Sequence, residues 1–326
     1  MYKPPFTLSA KAVNLIAEIS ALLEYYKIQE SDEQELRLRK ANRIKTIHSS
    51  LAIEGNTLSV DEVADIINGK TVVAPIREVQ EVKNAIKVYD AYETFNPFKE
   101  KDLLRAHGIM MEALMDNPGK YRSGGVGVYG DKGLIHMAPP ASRVPELMGD
   151  LFGWLTDSDD HLLIRSCVFH YEFEFIHPFM DGNGRTGRLW QSLILGRLNP
   201  VFSHLPVENM VYSNQEAYYD AIAESTKLGE SGPFIDFILT EIAKTLREKG
   251  SKVPSKVSGK VPSKSENEVL KILLLTPGAT RKVLAEKTGM SESGIKKLLS
   301  RMKAEGWISR EGSDKTGIWK VLIEID

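Results

Sequence analysis

Apolar residues return every three or four positions along most of the first 248 residues, which is the periodicity of helices with one buried face. Val13, Ile16, Ile19, Leu22 and Leu23 predict a helix over Ala10–Lys27, and the pattern resumes over Glu33–Ser50. The turn-like Glu54-Gly55-Asn56-Thr57 precedes a short helix over Asp61–Ile67, with Ser59 as its N-cap and acids in its first turn. Further amphipathic helices are predicted over Arg77–Phe95, Lys101–Met115, Pro145–Leu155, Leu162–Phe175, Gly184–Leu198, Asn214–Lys227 and Pro233–Lys249. One interval breaks the rule. Between Tyr121 and Met137, Val126 and Val128 alternate with glycine ahead of Tyr129-Gly130-Asp131-Lys132-Gly133, and Leu134-Ile135-His136 come next, so the period becomes that of a β-hairpin.

The last part of the chain has a different character. From Lys249 to Ser265 there are five lysines, two prolines and no acidic or aromatic residue, and Lys-Val-Pro-Ser-Lys occurs twice, at 252–256 and 260–264. Such a segment cannot bury apolar surface and is expected to be a flexible basic linker over 249–265. Beyond it, helices over Asn267–Leu275, Arg281–Thr288 and Ser291–Lys303 and strands over Trp307–Arg310 and Ile318–Ile323 describe a winged helix-turn-helix. The expected divisions are therefore 1–100, an N-terminal helical region; 101–248, a helical core with the hairpin; the linker; and 266–326, the winged helix. The fold class is mainly α.

Composition narrows the setting. A chain of 326 residues with one cysteine, Cys167, forms no internal disulfide, and the apolar run before Cys167 makes it a core residue. No run reaches the length of a membrane span and no secretory leader is visible, so a cytoplasmic protein with no membrane partner is expected. The net charge of −2 conceals an asymmetry: residues 1–248 carry 26 basic and 35 acidic side chains, and residues 249–326 carry 16 and 9. A basic end of this kind suits an anionic partner.

Candidate chemistry is concentrated in His177-Pro178-Phe179-Met180-Asp181-Gly182-Asn183-Gly184-Arg185-Thr186-Gly187-Arg188. Pro178 ends a helix at His177. Gly182, Asn183 and Gly184 tolerate positive φ, so their N–H groups can curl around an anion, and the helix that begins there adds the positive end of its dipole. Arg185 and Arg188 share one face of its first turns and can clamp phosphate oxygens. Asp181 is a hard oxygen ligand suited to Mg²⁺ shared with phosphates, and His177 can take a proton from a hydroxyl.

These residues resemble the signature HPFx[DE]GNGRxxR of the Fic family, without departure, and His170-Tyr171-Glu172-Phe173 upstream is similar to many Fic domains. The resemblance covers roughly residues 50–240. It implies a helical Fic core that transfers AMP from ATP to a Ser, Thr or Tyr hydroxyl of a target protein or of itself, releasing pyrophosphate. It further implies His177 as general base, Asp181 as the Mg²⁺ ligand, and Gly182, Asn183 and Gly184 at the α-phosphate. Arg185 and Arg188 would hold the β- and γ-phosphates, and Phe179 would be an apolar plug. The hairpin resembles the family's flap, whose edge at Val126, Gly127 and Val128 would pair with an extended target segment; a capping hairpin is the other reading. Tyr218 and Tyr219 fall where related chains carry a Tyr pair near the adenine, and core packing is the alternative there. Finally, Ser50-Leu51-Ala52-Ile53-Glu54-Gly55 resembles the family's inhibitory motif [ST]xxxE[GN], in which the glutamate pairs with the second signature arginine, here Arg188.

Three readings of the activity stay open at this stage: an autoinhibited adenylyltransferase, a DNA-binding regulator whose Fic portion senses nucleotide without turnover, and a Fic enzyme with another donor or with AMP-removing activity. The helix Ser291–Lys303 sets Ile295, Leu298, Leu299 and Met302 on one face and Lys296, Lys297, Ser300, Arg301 and Lys303 mostly on the other, which suits a major groove or a protein surface. A homodimer is left open.

Overall fold

In the computed structural model, residues 2–27, 32–130, 133–205, 207–252, 263–304, 307–311 and 318–321 are described. The chain divides into two compact units, Met1–Arg247 and Glu248–Asp326. The helices of the first unit are α1 (Ala10–Lys27), α2 (Asp32–Ala52), α3 (Val60–Ile67), α4 (Ile76–Asp90), α5 (Glu100–Met110), α6 (Val144–Asp157), α7 (Leu162–Ile176), α8 (Asn183–Leu198), α9 (Val207–Ser213), α10 (Gln215–Leu228) and α11, which runs from Gly232 on to Lys252.

The centre of the unit is the pair α7–α8. Nearly every residue of α7 is buried, and its apolar side chains surround the axis instead of forming one stripe, which places it inside the bundle. Phe169, Phe173, Phe179 and Trp190 are fully buried, and one core runs from Ala12 in α1 to Leu246 in α11. The helical region expected over 1–100 thus shares its core with α5 to α11. Trp190 Nε1 donates to Pro97 O at 2.9 Å, and the Tyr92 hydroxyl donates to Ser192 O at 2.7 Å, fixing α8 to the segment after α4.

Local sequence explains most helix ends. Ser59 caps α3 in a reciprocal box: its Oγ accepts from Glu62 N, and the Glu62 side chain accepts from Ser59 N. The helix expected over Arg77–Phe95 stops at Asp90, and Tyr92–Thr94 form a 3-10 turn. The one expected to reach Met115 stops at Met110. Helix α9 was not predicted. It is seven residues long and held by tertiary bonds, from the Ser49 hydroxyl to Asn209 and from the Tyr89 hydroxyl to Glu208 Oε1 at 2.7 Å.

The hairpin forms as read. Strands β1 (Gly127–Gly130) and β2 (Gly133–Met137) pair antiparallel, with Val128 opposite His136 and an irregularity between Val128 and Tyr129.

The second unit has its own core of Val269, Leu273, Leu284, Ile295, Met302, Trp307 and Trp319. Helices α12 (Lys264–Leu275), α13 (Arg281–Thr288) and α14 (Glu292–Ala304) precede the antiparallel strands β3 (Ile308–Glu311) and β4 (Ile318–Val321), a winged helix-turn-helix. The expected linker over 249–265 is shorter at both ends: α11 continues to Lys252, and a Ser263–Glu266 capping box starts α12 at Lys264. Its remaining residues, 253–262, lie outside the described ones. Among the described residues no helix is long and apolar enough to cross a membrane.

Candidate active site

The end of α7 delivers His177 in a left-handed conformation (φ 48°, ψ 62°), which is sterically costly for a residue with a Cβ. Its N–H still bonds Phe173 O at 2.9 Å, so His177 is the α7 cap, and the turn throws its side chain out of the helix. Nδ1 faces Glu174 O at 3.4 Å, a pairing that places the ring proton on Nδ1 and leaves Nε2 as the basic atom. Burial pushes the imidazole down to about 4, so at neutral pH it is in the uncharged form a base requires. Glu174 Oε2 lies 3.8 Å from Nδ1, on the side of the ring that becomes cationic when a proton is taken.

Phe179 is the plug the sequence suggested. It is fully buried and stacks on His107 at 3.6 Å between ring centroids, with Tyr121 and Phe173 around it. The side-chain amide of Asn183 is spent on the same residue: Oδ1 accepts from Phe179 N and Nδ2 donates to Phe179 O, both at 2.9 Å. Asn183 therefore braces the loop. Gly182 has φ +81° as the residue before α8, and a Cβ there would stand 2.6 Å from the Met111 sulfur. His107 holds the outer side of the turn. Gly119 N donates to its Nδ1 at 2.8 Å, so the Nε2 proton is directed at Asp181 O, 2.9 Å away.

The acidic and basic groups form one chain of contacts. Asp181 Oδ1 accepts from Gly182 N at 2.6 Å and from Arg185 Nη2 at 3.1 Å, while Oδ2 meets Arg77 Nη2 at 3.1 Å. Arg185 is buried and also reaches Glu81 Oε1 at 3.4 Å. Glu81 in turn accepts from Asn56 Nδ2 at 2.9 Å.

The turn after α2 places Glu54 in this assembly. Glu54 N bonds Leu51 O, and Gly55 takes φ +87°, a left-handed helix end. Glu54 Oε1 meets Arg188 Nη2 at 2.9 Å, and the same nitrogen donates to Ser50 O at 2.8 Å. The Arg188 side chain is 1% exposed and that of Glu54 29%. Burial works against the Arg188 charge; Glu54, with Tyr218 and Glu174, works for it, and the net shift is upward. Ser50, expected as part of the inhibitory motif, thus contributes its carbonyl. The carboxylate also sits against the first turn of α8: a Cβ on Gly184 would collide with Glu54 Oε1 and stand 2.9 Å from Arg188 Nη1. An anion therefore occupies the positive end of the α8 dipole.

The two tyrosines separate. Tyr218 is 2% exposed, its hydroxyl lies 3.0 Å from His170 Nε2, and its ring packs edge-on to Phe234. It packs in the core, the alternative the sequence left open, and Tyr219 is half-buried. In the hairpin, Val128 is buried, while Val126 and Gly127 are half-buried. Cys167 is wholly buried, and burial pushes its thiol up to about 12, as expected of an inert core residue. Sequence reasoning missed His107, Arg122, Glu81 and Arg77. Only Arg77 and Glu81 leave a signal, an i,i+4 ion pair on α4.

Comparison with known proteins finds relatives for both units. The Fic/DOC family model matches residues 97–195, and a winged helix-turn-helix DNA-binding model matches residues 263–309. A Fic family protein from Desulfovibrio desulfuricans G20 is similar over 100% of both chains, with 40% identity and a TM-score of 0.73. A protein adenylyltransferase fic-1 from Caenorhabditis briggsae is 30% identical over 230 residues, and a probable protein adenylyltransferase from Aquifex aeolicus is 29% identical over 178. These matches cover 66% and 54% of this chain, and 42% and 52% of the length of the two relatives. With an uninterrupted signature on a Fic fold and a relative alike from end to end, the chain belongs to the Fic/DOC family.

Proposed function

We propose that the chain is a protein adenylyltransferase held off by its own Glu54. A nucleotide's phosphates enter the curl of Gly182, Asn183 and Gly184, where the N–H groups of the first turn of α8 meet the charge that develops at the α-phosphate. The acceptor hydroxyl on a target protein, or on the chain itself, attacks the α-phosphorus. His177 Nε2 takes its proton, and pyrophosphate leaves. Arg185 and Arg188 carry the outer phosphates. Asp181 fits Mg²⁺, since its carboxylate is 41% exposed and one carboxylate plus substrate phosphates is the usual holding for that ion. When bound, Mg²⁺ offsets phosphate charge; everything else is positioning by the chain.

The observation that carries this reading is the Glu54–Arg188 contact against Gly184. A carboxylate in a fork built for phosphate supports both the anion site and the brake. With labelled ATP and Mg²⁺, Glu54→Gly is expected to raise label transfer to protein at least tenfold over the unaltered chain. Equal rates under saturating MgATP reject the brake, and binding without transfer favours a nucleotide sensor.

The second unit supports a DNA-binding role. On α14, Ile295, Leu298, Leu299 and Met302 are buried and Lys296, Lys297, Ser300 and Lys303 are exposed, so a basic face is left for a phosphate backbone. Arg301, on the same face, is already ion-paired with Glu266.

A further inference from the structure

The last turn of a helix leaves carbonyl oxygens without helical donors, and at the end of α7 those oxygens surround the base. Two side chains from the hairpin segment supply the donors. His136 on β2 stacks its ring on Phe175 at 4.6 Å, and its Nε2 lies 2.9 Å from Phe175 O. Arg122 takes the next carbonyls: Nη2 donates to Ile176 O at 3.3 Å, Nε to His177 O at 2.8 Å, and its backbone N to Pro178 O at 2.9 Å. The same guanidinium donates through Nη1 to Gly124 O at 2.8 Å and through Nη2 to Pro139 O. Gly124 and Pro139 are the two roots of the hairpin, just before β1 and just after β2.

Arg122 is 4% exposed, and no carboxylate of the described residues pairs with it. A buried cation without a carboxylate partner is costly unless hydrogen bonds replace its water, and among the described residues every oxygen it bonds is a backbone carbonyl of either the His177 turn or the hairpin roots. A two-stranded hairpin is marginal by itself, so its position depends on what it is tied to. We propose that Arg122, seconded by His136, is a positioning residue that fixes the edge of the flap relative to His177 and so aligns the acceptor hydroxyl with the base.

This inference rests on the proposed transfer reaction for its kinetic consequence, and on geometry alone for its structural one. A displacement of about 1 Å at a reacting group costs on the order of a hundredfold in rate. In the Glu54→Gly background, Arg122→Met is expected to lower kcat for transfer to protein at least tenfold while the Kd for MgATP, read with a fluorescent ATP analogue, stays within twofold. Arg122→Lys keeps the charge without the fork and should restore little. Amide hydrogen exchange in β1 and β2 should quicken at least tenfold in Arg122→Met. His136→Ala removes one hydrogen bond and a ring stack, and carries the test if Arg122→Met fails to fold, with a smaller fall of about threefold. Unchanged transfer and exchange overturn the mooring, and so does an equal loss of nucleotide binding and transfer in a folded variant. If the Glu54→Gly parent itself transfers nothing, the adenylyltransferase reading fails, and the exchange rates alone decide whether the flap is moored.

Discussion

At Gly184 the turn that opens α8 has no room for a side chain, because the carboxylate of Glu54, in the turn after α2, occupies the space. An added methyl would press on Glu54 and on Arg188 together, so Gly184→Ala is expected to destabilise the chain, and to do so less once Glu54 is replaced by Gly. A double-mutant cycle read by thermal melting measures the difference; additive effects would mean that the carboxylate does not rest there. Beside this contact, burial pushes Glu174 up to about 8, against Arg188 and with Glu54, and pushes Glu172 up to about 7. Unfolded, both ionise near 4.5, so the folded chain retains protons the unfolded one has lost, and stability falls as pH rises from about 4.5 to 8. Burial holds the His107, His170 and His177 rings down at about 4 against an ordinary 6.5, which removes stability as pH falls from 6.5 toward 4. Between pH 6.5 and 8 these three rings are largely neutral in both states and the two carboxyls still act. Thermal midpoints at pH 6.5 and 8.5 should therefore show a decline that Glu174→Gln reduces. The contacts of Glu54 and Arg188, and the place of His177 at a helix end, were legible because each lies in a contiguous motif. Those of Arg122 and His107 were not, because their partners are backbone groups that only the folded chain brings to them.

Short elements show the same division. Ser59 and Glu62 meet within one turn, so the start of α3 could be read from four residues. Ser59→Ala is expected to cost about 1 kcal/mol, measured by urea unfolding, with transfer by the Glu54→Gly form unaltered, since the cap touches neither Glu54 nor α8. Helix α9 has no such local mark. Its Glu208 and Asn209 find partners on α4 and α2, more than a hundred residues earlier in the chain, and such contacts are invisible in the local sequence. The hairpin is intermediate. Glycine and alternating valines announced the turn, but the irregularity between Val128 and Tyr129 depends on which face packs inward, and Val128 is buried.

Two separate cores and opposite charges suggest two separable activities in one molecule. The first 248 residues carry 35 acidic against 26 basic side chains and repel a phosphate backbone, whereas residues 249–326 carry 16 basic against 9 acidic. On the DNA-binding reading proposed above, Coulomb attraction belongs to the second unit, and salt should weaken it in proportion to the phosphates neutralised. Lys296, Lys297 and Lys303 are the exposed cations of α14 without an ion pair among the described residues, and three phosphate contacts correspond to a slope of about −3 in log K against log salt. Fluorescence anisotropy with duplex DNA over a range of salt should give about that slope for the full chain and no binding for a chain ending at Lys252. The shortened chain retains the whole core from Ala12 to Leu246, so in the Glu54→Gly form its transfer of label from ATP should stay within twofold. Loss of transfer on truncation would place part of the catalytic apparatus in the winged helix, and DNA binding that survives truncation would move the anion-binding face to the acidic unit.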